Sequence, residues 1–315
     1  MNDILSRKSV LITGGAGFIG ANLIKKLIES NYRVNLILKK SSDLWRIKNI
    51  LDKIKIYYVD LLDKNKLTKI VNKINPAFII HLATYSNYRN QSDVEQMIEI
   101  NIKGTLNLLI ASKNINYKMF INTGSSSEYG IKDKPMKEKD VLAPISFYAT
   151  TKASSTFLCQ AFAKEYKKTI VTLRPFSVYG PYEEENRFIP TVIKAIIENK
   201  PIKLTSEDQR RDFIYIEDVV DIYTKTLFYG KKLSGQILNV ATGIEHTNDE
   251  VVQNLFKVMG KKVKIEKGAF PKRLWDTPHW VADISKAKKY LNWKPKFSLE
   301  DGLKKTYLWF KNEKI

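Results

Sequence analysis

Three residues in this chain could together move a proton at an oxygen whose carbon gains or loses a hydride: Ser125, Tyr148 and Lys152. Tyr148 and Lys152 stand four apart in Tyr-Ala-Thr-Thr-Lys, so a helix through them sets both on one face, a turn apart. A tyrosine hydroxyl with its ordinary pKa of ~10 is a poor proton shuttle at neutral pH. A lysine ammonium beside it favours the phenolate and lowers that value. Such a tyrosine can take a proton from an alcohol or return one to a ketone, and Ser125 can hydrogen-bond the same oxygen. Alone, a tyrosine and a lysine on a helix are equally a solvated surface feature, so the surrounding elements decide their weight.

The first of those elements is Ser9 to Gly20. Val10, Leu11 and Ile12 make a short apolar run, Gly14, Gly17 and Gly20 follow at three-residue spacing, and Leu23, Ile24, Leu27 and Ile28 then recur with helical period. A strand that turns on glycines into a helix aims the helix's free N–H groups at one spot, which suits a pyrophosphate. The strand before and the helix after give the glycine triplet its meaning. Arg33 to Leu38, Ile54 to Val59, Ala77 to Ala83, Phe120 to Asn122 and Ile170 to Leu173 read as further buried strands. Helical stretches alternate with them, among them Leu67 to Ile74, Val94 to Ile110 and Thr151 to Tyr166. The fold class that follows is α/β: a Rossmann-type, doubly wound parallel sheet with ligands at the carboxyl ends of its strands. Ser125 then stands just past one such end, after Phe120-Ile121-Asn122-Thr123-Gly124. Beyond Phe176 the alternation lapses. The expected organisation is a dinucleotide-binding domain over residues 1–175, to which 213–243 returns, and a smaller α/β substrate domain over 176–315.

An acid at the end of the second strand would bind the adenosine ribose hydroxyls of a dinucleotide. This chain has Lys39-Lys40-Ser41-Ser42 there. Those groups could hold the 2′-phosphate of NADP, which makes NADP the expected cofactor and NAD the alternative, although two lysines in such a place are equally well explained as solvated.

Composition narrows the classes further. Apolar residues make up 43% and charged residues 27% of 315, the balance of a globular protein. No apolar run is long enough to cross a membrane. Cys159 is the one cysteine and makes no internal disulfide, and strand-forming sequence begins within ten residues of Met1, so a cytoplasmic protein is expected. No cluster with metal-ligand spacing is present. The net charge of +20 raises nucleic-acid binding, but only nine of the 53 basic residues are arginines and the lysines are spread along the chain, so no nucleic-acid partner is expected. A positive field of that kind would still attract a doubly charged sugar nucleotide.

With these pieces in order, the chain resembles the extended short-chain dehydrogenases/reductases, in their nucleotide-sugar epimerase, dehydratase and reductase group. The resemblance rests on Thr13-Gly-Gly-Ala-Gly-Phe-Ile-Gly20, Asp60-Leu61, His81-Leu82-Ala83, Asn101, Ser125 with Tyr129-Gly130, and Tyr148 to Lys152. It continues through Leu173-Arg174-Pro175, Arg211-Asp212-Phe213, and Arg273 with Asp276, and so covers nearly the whole chain. It implies that Gly14, Gly17, Phe18, Ile19 and Gly20 hold the pyrophosphate and that Asp60 and Leu61 hold the adenine, beside Lys39 and Lys40. Leu82, Ala83, Asn101 and Pro175 complete the cofactor cleft, and Tyr148 and Lys152 also bind the nicotinamide ribose. Ser125, Tyr148 and Lys152 are the implied catalytic set. For the substrate, a nucleotide-diphosphate sugar, it implies Arg211 and Arg273 on the diphosphate, where a guanidinium suits two phosphate oxygens at once. Ser126, Ser177 and Arg187 join them. Dimerisation through the Val94–Ile110 and Thr151–Tyr166 helices is also implied.

Three departures bear on the reaction. Sugar 4,6-dehydratases of the family carry an acid pair, or at least a glutamate, just after the catalytic serine or threonine, where this chain has Ser126 and Ser127, with Glu128 one place late. Water elimination needs an acid and a base there, so dehydration is disfavoured. The asparagine usual in the Arg-Pro-Phe-Asn segment is Ser177, and Lys39-Lys40 replaces the ribose-binding acid. The middle and C-terminal segments are also similar to 4-keto-sugar reductases of the CDP-abequose synthase type. The leading expectation is therefore reduction of the C4 ketone of a nucleotide-linked 4-keto-6-deoxy sugar, for surface-polysaccharide synthesis. The alternatives are an NAD-dependent C4 epimerase, a sugar 4-dehydrogenase, or a sensor that kept the fold and lost catalysis.

Overall fold

Apolar runs become strands buried on both sides. In the computed structural model, which describes residues 8–86, 93–205, 209–269 and 277–313, β1 (Ser9–Thr13) is buried along its whole length and leads into α1 (Phe18–Glu29). There follow β2 (Arg33–Leu38), a 3-10 segment (Trp45–Lys53), β3 (Ile54–Tyr58), α2 (Lys64–Ile74) and β4 (Phe78–His81). The Asp63 carboxylate caps α2 by accepting the Lys66 N–H at 3.0 Å, which sets its start three residues before the apolar period does. The expected helix from Val94 is interrupted: α3 (Val94–Met97) passes through a π-helical stretch, Ile98–Lys103, into α4 (Gly104–Ser112). Then come β5 (Met119–Thr123), a 3-10 turn (Ser126–Tyr129), α5 (Phe147–Glu165), β6 (Ile170–Pro175), β7 (Ser177–Tyr179), α6 (Phe188–Ile197) and β8 (Ile202–Lys203). The remainder is β9 (Arg210–Arg211), β10 (Phe213–Tyr215), α7 (Ile216–Thr226), β11 (Ile237–Val240), β12 (His246–Thr247), α8 (Asn248–Met259), β13 (Ile265–Glu266), α9 (Ser285–Leu291) and α10 (Leu299–Asn312).

Seven strands form the main sheet in the order β11-β6-β5-β4-β1-β2-β3, and β1 pairs in parallel with both β2 and β4. This is the doubly wound Rossmann arrangement. The chain runs outward from β1 in one direction and then returns to lay β4, β5 and β6 on the other side. The reversal point therefore lies at the carboxyl ends of β1 and β4, where such sheets bind ligands. Leu11, Ile79 and Phe120 from the sheet and Leu67, Leu108, Leu109, Cys159 and Phe162 from the helices share one buried cluster that fixes α2, α4 and α5 to one sheet face.

Contacts divide the chain into two compact units. The first is Met1–Glu128, Leu142–Arg174 and Val220–Leu238; the second is Tyr129–Val141, Pro175–Val219 and Asn239–Ile315. In the second unit, β7 pairs with β10, β8 with β13, and β9 antiparallel with β12. There the Asp212 carboxylate accepts the N–H groups of Thr242 (2.8 Å), Gly243 (2.9 Å) and Ala282 (3.2 Å), tying three segments together next to Arg211. No helix among the described residues is long and apolar enough to cross a membrane.

Candidate active site

The glycine corner is built for close backbone approach. Gly14 has φ +71°, and a Cβ there would lie 2.5 Å from Ala83 N, so β1 can turn beside β4 only without a side chain. A Cβ on Gly20 would meet Gly14 O at 2.6 Å and Gly15 Cα at 2.7 Å, which makes Gly20 the place where α1 packs on the turn. Gly17 differs: a Cβ there would meet only Gly14 O, at 3.4 Å, so the space above it is open. Gly17 is also the N-cap of α1 and offers no side chain to the first-turn N–H groups. Uncapped donors of Phe18, Ile19 and Gly20, electropositive and beneath open space, are the donor set a pyrophosphate requires. The corner thus fits a dinucleotide.

At the far end of the dinucleotide path, Lys39 Nζ lies 3.3 Å from Asp60 Oδ2, with both side chains about two-fifths exposed (41% and 43%). Asp60 Oδ1 also accepts the Leu62 N–H at 2.9 Å, and the Leu61 carbonyl is held by Asn107 Nδ2 at 2.9 Å. Leu82 N–H extends the β1–β4 ladder to the Thr13 carbonyl at 3.0 Å, and Ala83 N lies 3.4 Å from Thr13 Oγ1.

The expected catalytic residues Ser125, Tyr148 and Lys152 all belong to the first unit. The Ser146 hydroxyl caps α5 on the Ala149 N–H at 3.2 Å, so α5 starts at Phe147, just before Tyr148. Lys152, one turn on, is buried and donates from Nζ to the Thr123 carbonyl at the end of β5. Burial pushes the Lys152 ammonium down to about 8, against the support of the Glu128 carboxylate. Tyr148 is half-buried. Tyr223 from α7 bonds Thr123 Oγ1 at 2.8 Å at the end of β5, and burial raises the pKa of its hydroxyl. Ser125 follows that end by two residues, its Oγ 2.6 Å from Ser127 Oγ, while Ser126 is buried.

Beneath Ser125 sits a pair that sequence reading did not find. Glu128, fully buried, accepts the Ser125 N–H at 2.7 Å and pairs with Arg174 at 2.7 Å to Nη2 and 2.8 Å to Nε. Its carboxylate turns toward Arg174, away from any open surface.

A second buried network joins the glycine corner to α5. His81 is bonded at both nitrogens, Nδ1 to Thr13 Oγ1 at 2.6 Å and Nε2 to Thr105 Oγ1 at 2.9 Å. Burial and the Lys152 charge push its pKa down to about 3, so it stays neutral. The Thr105 hydroxyl and the Ser155 hydroxyl of α5 both donate to the Asn101 carbonyl at 2.6 Å, inside the π stretch. Asn101's amide is also taken up within the protein: Oδ1 accepts from Tyr85 N at 2.7 Å, and Nδ2 donates to Thr151 Oγ1 at 3.0 Å. Its described bonds make Asn101 a strut between α5 and the irregular segment that follows β4, rather than a group open to a ligand. The π insertion at this point accounts for the helix break that apolar period alone missed.

Of the substrate candidates, Ser177, Arg187 and Arg211 lie in the second unit. Ser177 N–H donates to the Asp212 carbonyl at 3.0 Å. Arg187 Nε is 3.6 Å from Glu183 Oε1, and Arg211 places its guanidinium 5.1 Å over the Trp280 ring. Pro175 ends β6. Arg273 and Asp276 lie outside the described residues. No group of three or more metal-ligating side chains occurs among the described residues.

Comparison with known proteins now has a site to refer to. The family profile described as GDP-mannose 4,6-dehydratase matches residues 11–306. The chain is an extended short-chain dehydrogenase/reductase. It is 34% identical over 313 residues to a UDP-glucuronate 4-epimerase of Thermodesulfobacterium geofontis, covering 96% of this chain and 95% of that one. Among solved structures, a UDP-glucose 4-epimerase of Thermotoga maritima with UDP-glucose superposes with a TM-score of 0.89 at 27% identity, covering 97% of this chain and 99% of that one. A UDP-glucuronic acid 4-epimerase of Bacillus cereus, in complex with UDP-glucuronic acid and NAD, superposes with a TM-score of 0.87 at 30% identity, with the same coverage of 97% and 99%. As a member of this family the enzyme works on nucleotide sugars with a nicotinamide dinucleotide, but the leading expectation of C4 ketone reduction with NADPH gains nothing from these relatives. The alternative, epimerisation, fits them.

Proposed function

We propose that the enzyme is a nucleotide-sugar 4-epimerase that keeps NAD bound and takes a UDP-linked hexose or hexuronic acid. The observation that carries this reading is the buried Glu128–Arg174 pair. With Ser126 and Ser127 in the acid positions and Glu128 engaged below them, proton chemistry is confined to one tyrosine acting at one oxygen. That suffices to oxidise and re-reduce a single carbon, and it does not suffice to eliminate water. The relatives named as 4-epimerases support C4 as that carbon.

When bound, the nicotinamide supplies hydride acceptance and return at the sugar carbon. Tyr148 takes the proton of the C4 hydroxyl and gives it back to the ketone. Lys152 holds positive charge beside it, and Ser125 donates a hydrogen bond to the same oxygen. Phe18, Ile19 and Gly20 hold the pyrophosphate through main-chain N–H groups, Arg211 and Arg187 serve the nucleotide diphosphate, and Arg273 is proposed with them from sequence. NAD agrees with the bonding of Lys39 to Asp60, which engages one of the two lysines proposed for a 2′-phosphate. A homodimer is part of this reading.

The test is incubation of the purified enzyme with UDP-glucose, UDP-glucuronic acid and UDP-N-acetylglucosamine, with products resolved by proton NMR at C4. We expect C4 epimer with no net change in reduced-cofactor absorbance, and activity lower by roughly 10²–10⁴-fold in Tyr148→Phe. One observation favours a second reading, C4 ketone reduction: β2 runs into exposed Lys40 and half-buried Ser42 with no acid. Net oxidation of NADPH by 4-keto-6-deoxy sugar nucleotides, together with a 2′-phosphate on the released cofactor, would select that reading and end the epimerase one.

A further inference from the structure

Glu128 stands one place past the two positions, Ser126 and Ser127, read from sequence as those of the dehydratase acids, and it is buried with two bonded partners. Its Oε1 accepts the Ser125 N–H at 2.7 Å, and its Oε2 takes both Nε and Nη2 of Arg174, at 2.8 and 2.7 Å. Gly124, between Thr123 and Ser125, makes room for the pair: a Cβ there would lie 2.5 Å from Glu128 Oε1 and 2.9 Å from Arg174 Cγ. The carboxylate is thus clamped directly beneath the turn that carries one catalytic group and ends the strand whose carbonyl holds another. Burial raises the Glu128 carboxyl, and Arg174 and the Ser125 N–H pull it back down; arginine keeps its proton in proteins, so a neutral Glu128 would strand a buried guanidinium, and the pair is ionised at neutral pH. Resting on the catalytic reading of Ser125, Tyr148 and Lys152 above, we propose that Glu128 is a positioning residue for that site. Its carboxylate fixes the Ser125 main chain and holds the positive charge of Lys152.

The groups that face this pair are few. Around Lys152 are Glu128, the Thr123 carbonyl, His81 from β4, Cys159 from the same helix, and Tyr148 one turn back. His81 stays neutral, and burial pushes the Cys159 thiol far up, so it stays neutral as well. Around Glu128 are Arg174, the Ser125 N–H, Thr156 and Lys152. Glu128 is therefore the one anion described among the groups that face Lys152 at neutral pH before Tyr148 ionises. Burial has already brought Lys152 down to about 8, so loss of that anion would carry its titration into the working pH range.

The experiment compares wild type, Glu128→Gln, and the double variant Glu128→Gln with Arg174→Met, which removes the buried pair together should the single change fold poorly. The glutamine keeps an acceptor for the Ser125 N–H and loses the charge. Two readouts are used. One is the pH dependence of kcat; the other is the Lys152 titration itself, followed by NMR of lysine side chains labelled at Cε in the full-length protein, with Lys152→Met marking the signal. We expect the alkaline limb of kcat, near pH 8 in wild type, to move down by about one unit in both variants. The NMR titration should move with it. A ΔTm with both profiles unmoved would make the pair a structural strut and overturn the proposal. The NMR titration needs no turnover, so it tests Glu128 even if no sugar nucleotide is converted, and a fully active Tyr148→Phe would sink the catalytic reading while leaving the lysine shift measurable.

Discussion

At the scale of single residues, three buried ionisable groups show how far burial outweighs charge in this molecule. Burial lowers Lys152 to about 8 and raises Glu128, in each case against the pull of opposite charge. Glu183, in the second unit, has a poorer partner: it is 6% exposed, Arg187 Nε is 3.6 Å away and half exposed, and burial raises the carboxyl to about 8 against that pull. The folded state therefore binds a proton that the unfolded chain releases near 4.5. With the folded pKa above the unfolded one, stability from this group is greatest below about 4.5 and is lost as pH rises to about 8, where the loss levels off. Glu183→Gln removes the titration. Its stability relative to wild type should grow by about 1.4 kcal/mol per pH unit between pH 5 and 8 and then stay flat, measured by urea unfolding at several pH values. Parallel stability curves for the two proteins would show that the Arg187 contact holds Glu183 ionised throughout.

At the scale of elements, the glycine corner separates two roles that sequence spacing leaves merged. Gly20 holds α1 against the turn, because every atom a Cβ would meet there is backbone and cannot yield. Gly17 holds open space. Gly20→Ala should therefore lower Tm markedly, whereas Gly17→Ala should fold with near-wild-type Tm and lose dinucleotide affinity, read by calorimetric titration. Equal loss of Tm in both would mean that Gly17 also serves packing. Why some of this was legible in sequence and some not follows from range. The β1 strand, the glycine triplet and the Tyr148–Lys152 spacing are local patterns, readable within a dozen residues. The Glu128–Arg174 pair joins positions 46 apart, and the Thr13–His81–Thr105 chain joins three separate segments, so neither leaves a local trace. The π stretch is set by hydroxyls reaching the Asn101 carbonyl from Thr105 and from Ser155, which hydrophobic period does not record. Two-residue ladders such as β9 with β12 are shorter than any period.

At the scale of the whole molecule, the helices that carry and flank the proposed active site also present apolar surface that this chain alone leaves uncovered. Ile98, in the π stretch, is 46% exposed and Phe157, on α5, is 56% exposed, although both helices are otherwise packed against the sheet core. A net charge of +20 repels a second copy at long range, so association must come from short-range apolar contact strong enough to overcome it. The proposed homodimer through these helices makes a definite demand. Light scattering coupled to size exclusion should give twice the mass of the 36.4 kDa chain, with the dimer favoured as salt screens the lysines. Phe157→Glu should yield a folded monomer, and the charge is far enough along α5 from Lys152 to leave the catalytic turn intact. Its effect on kcat then asks whether the partner steadies the site. A wild-type monomer at all salt concentrations would remove the dimer from the proposed function, and would leave the paired helices as an apolar surface serving the chain's own packing.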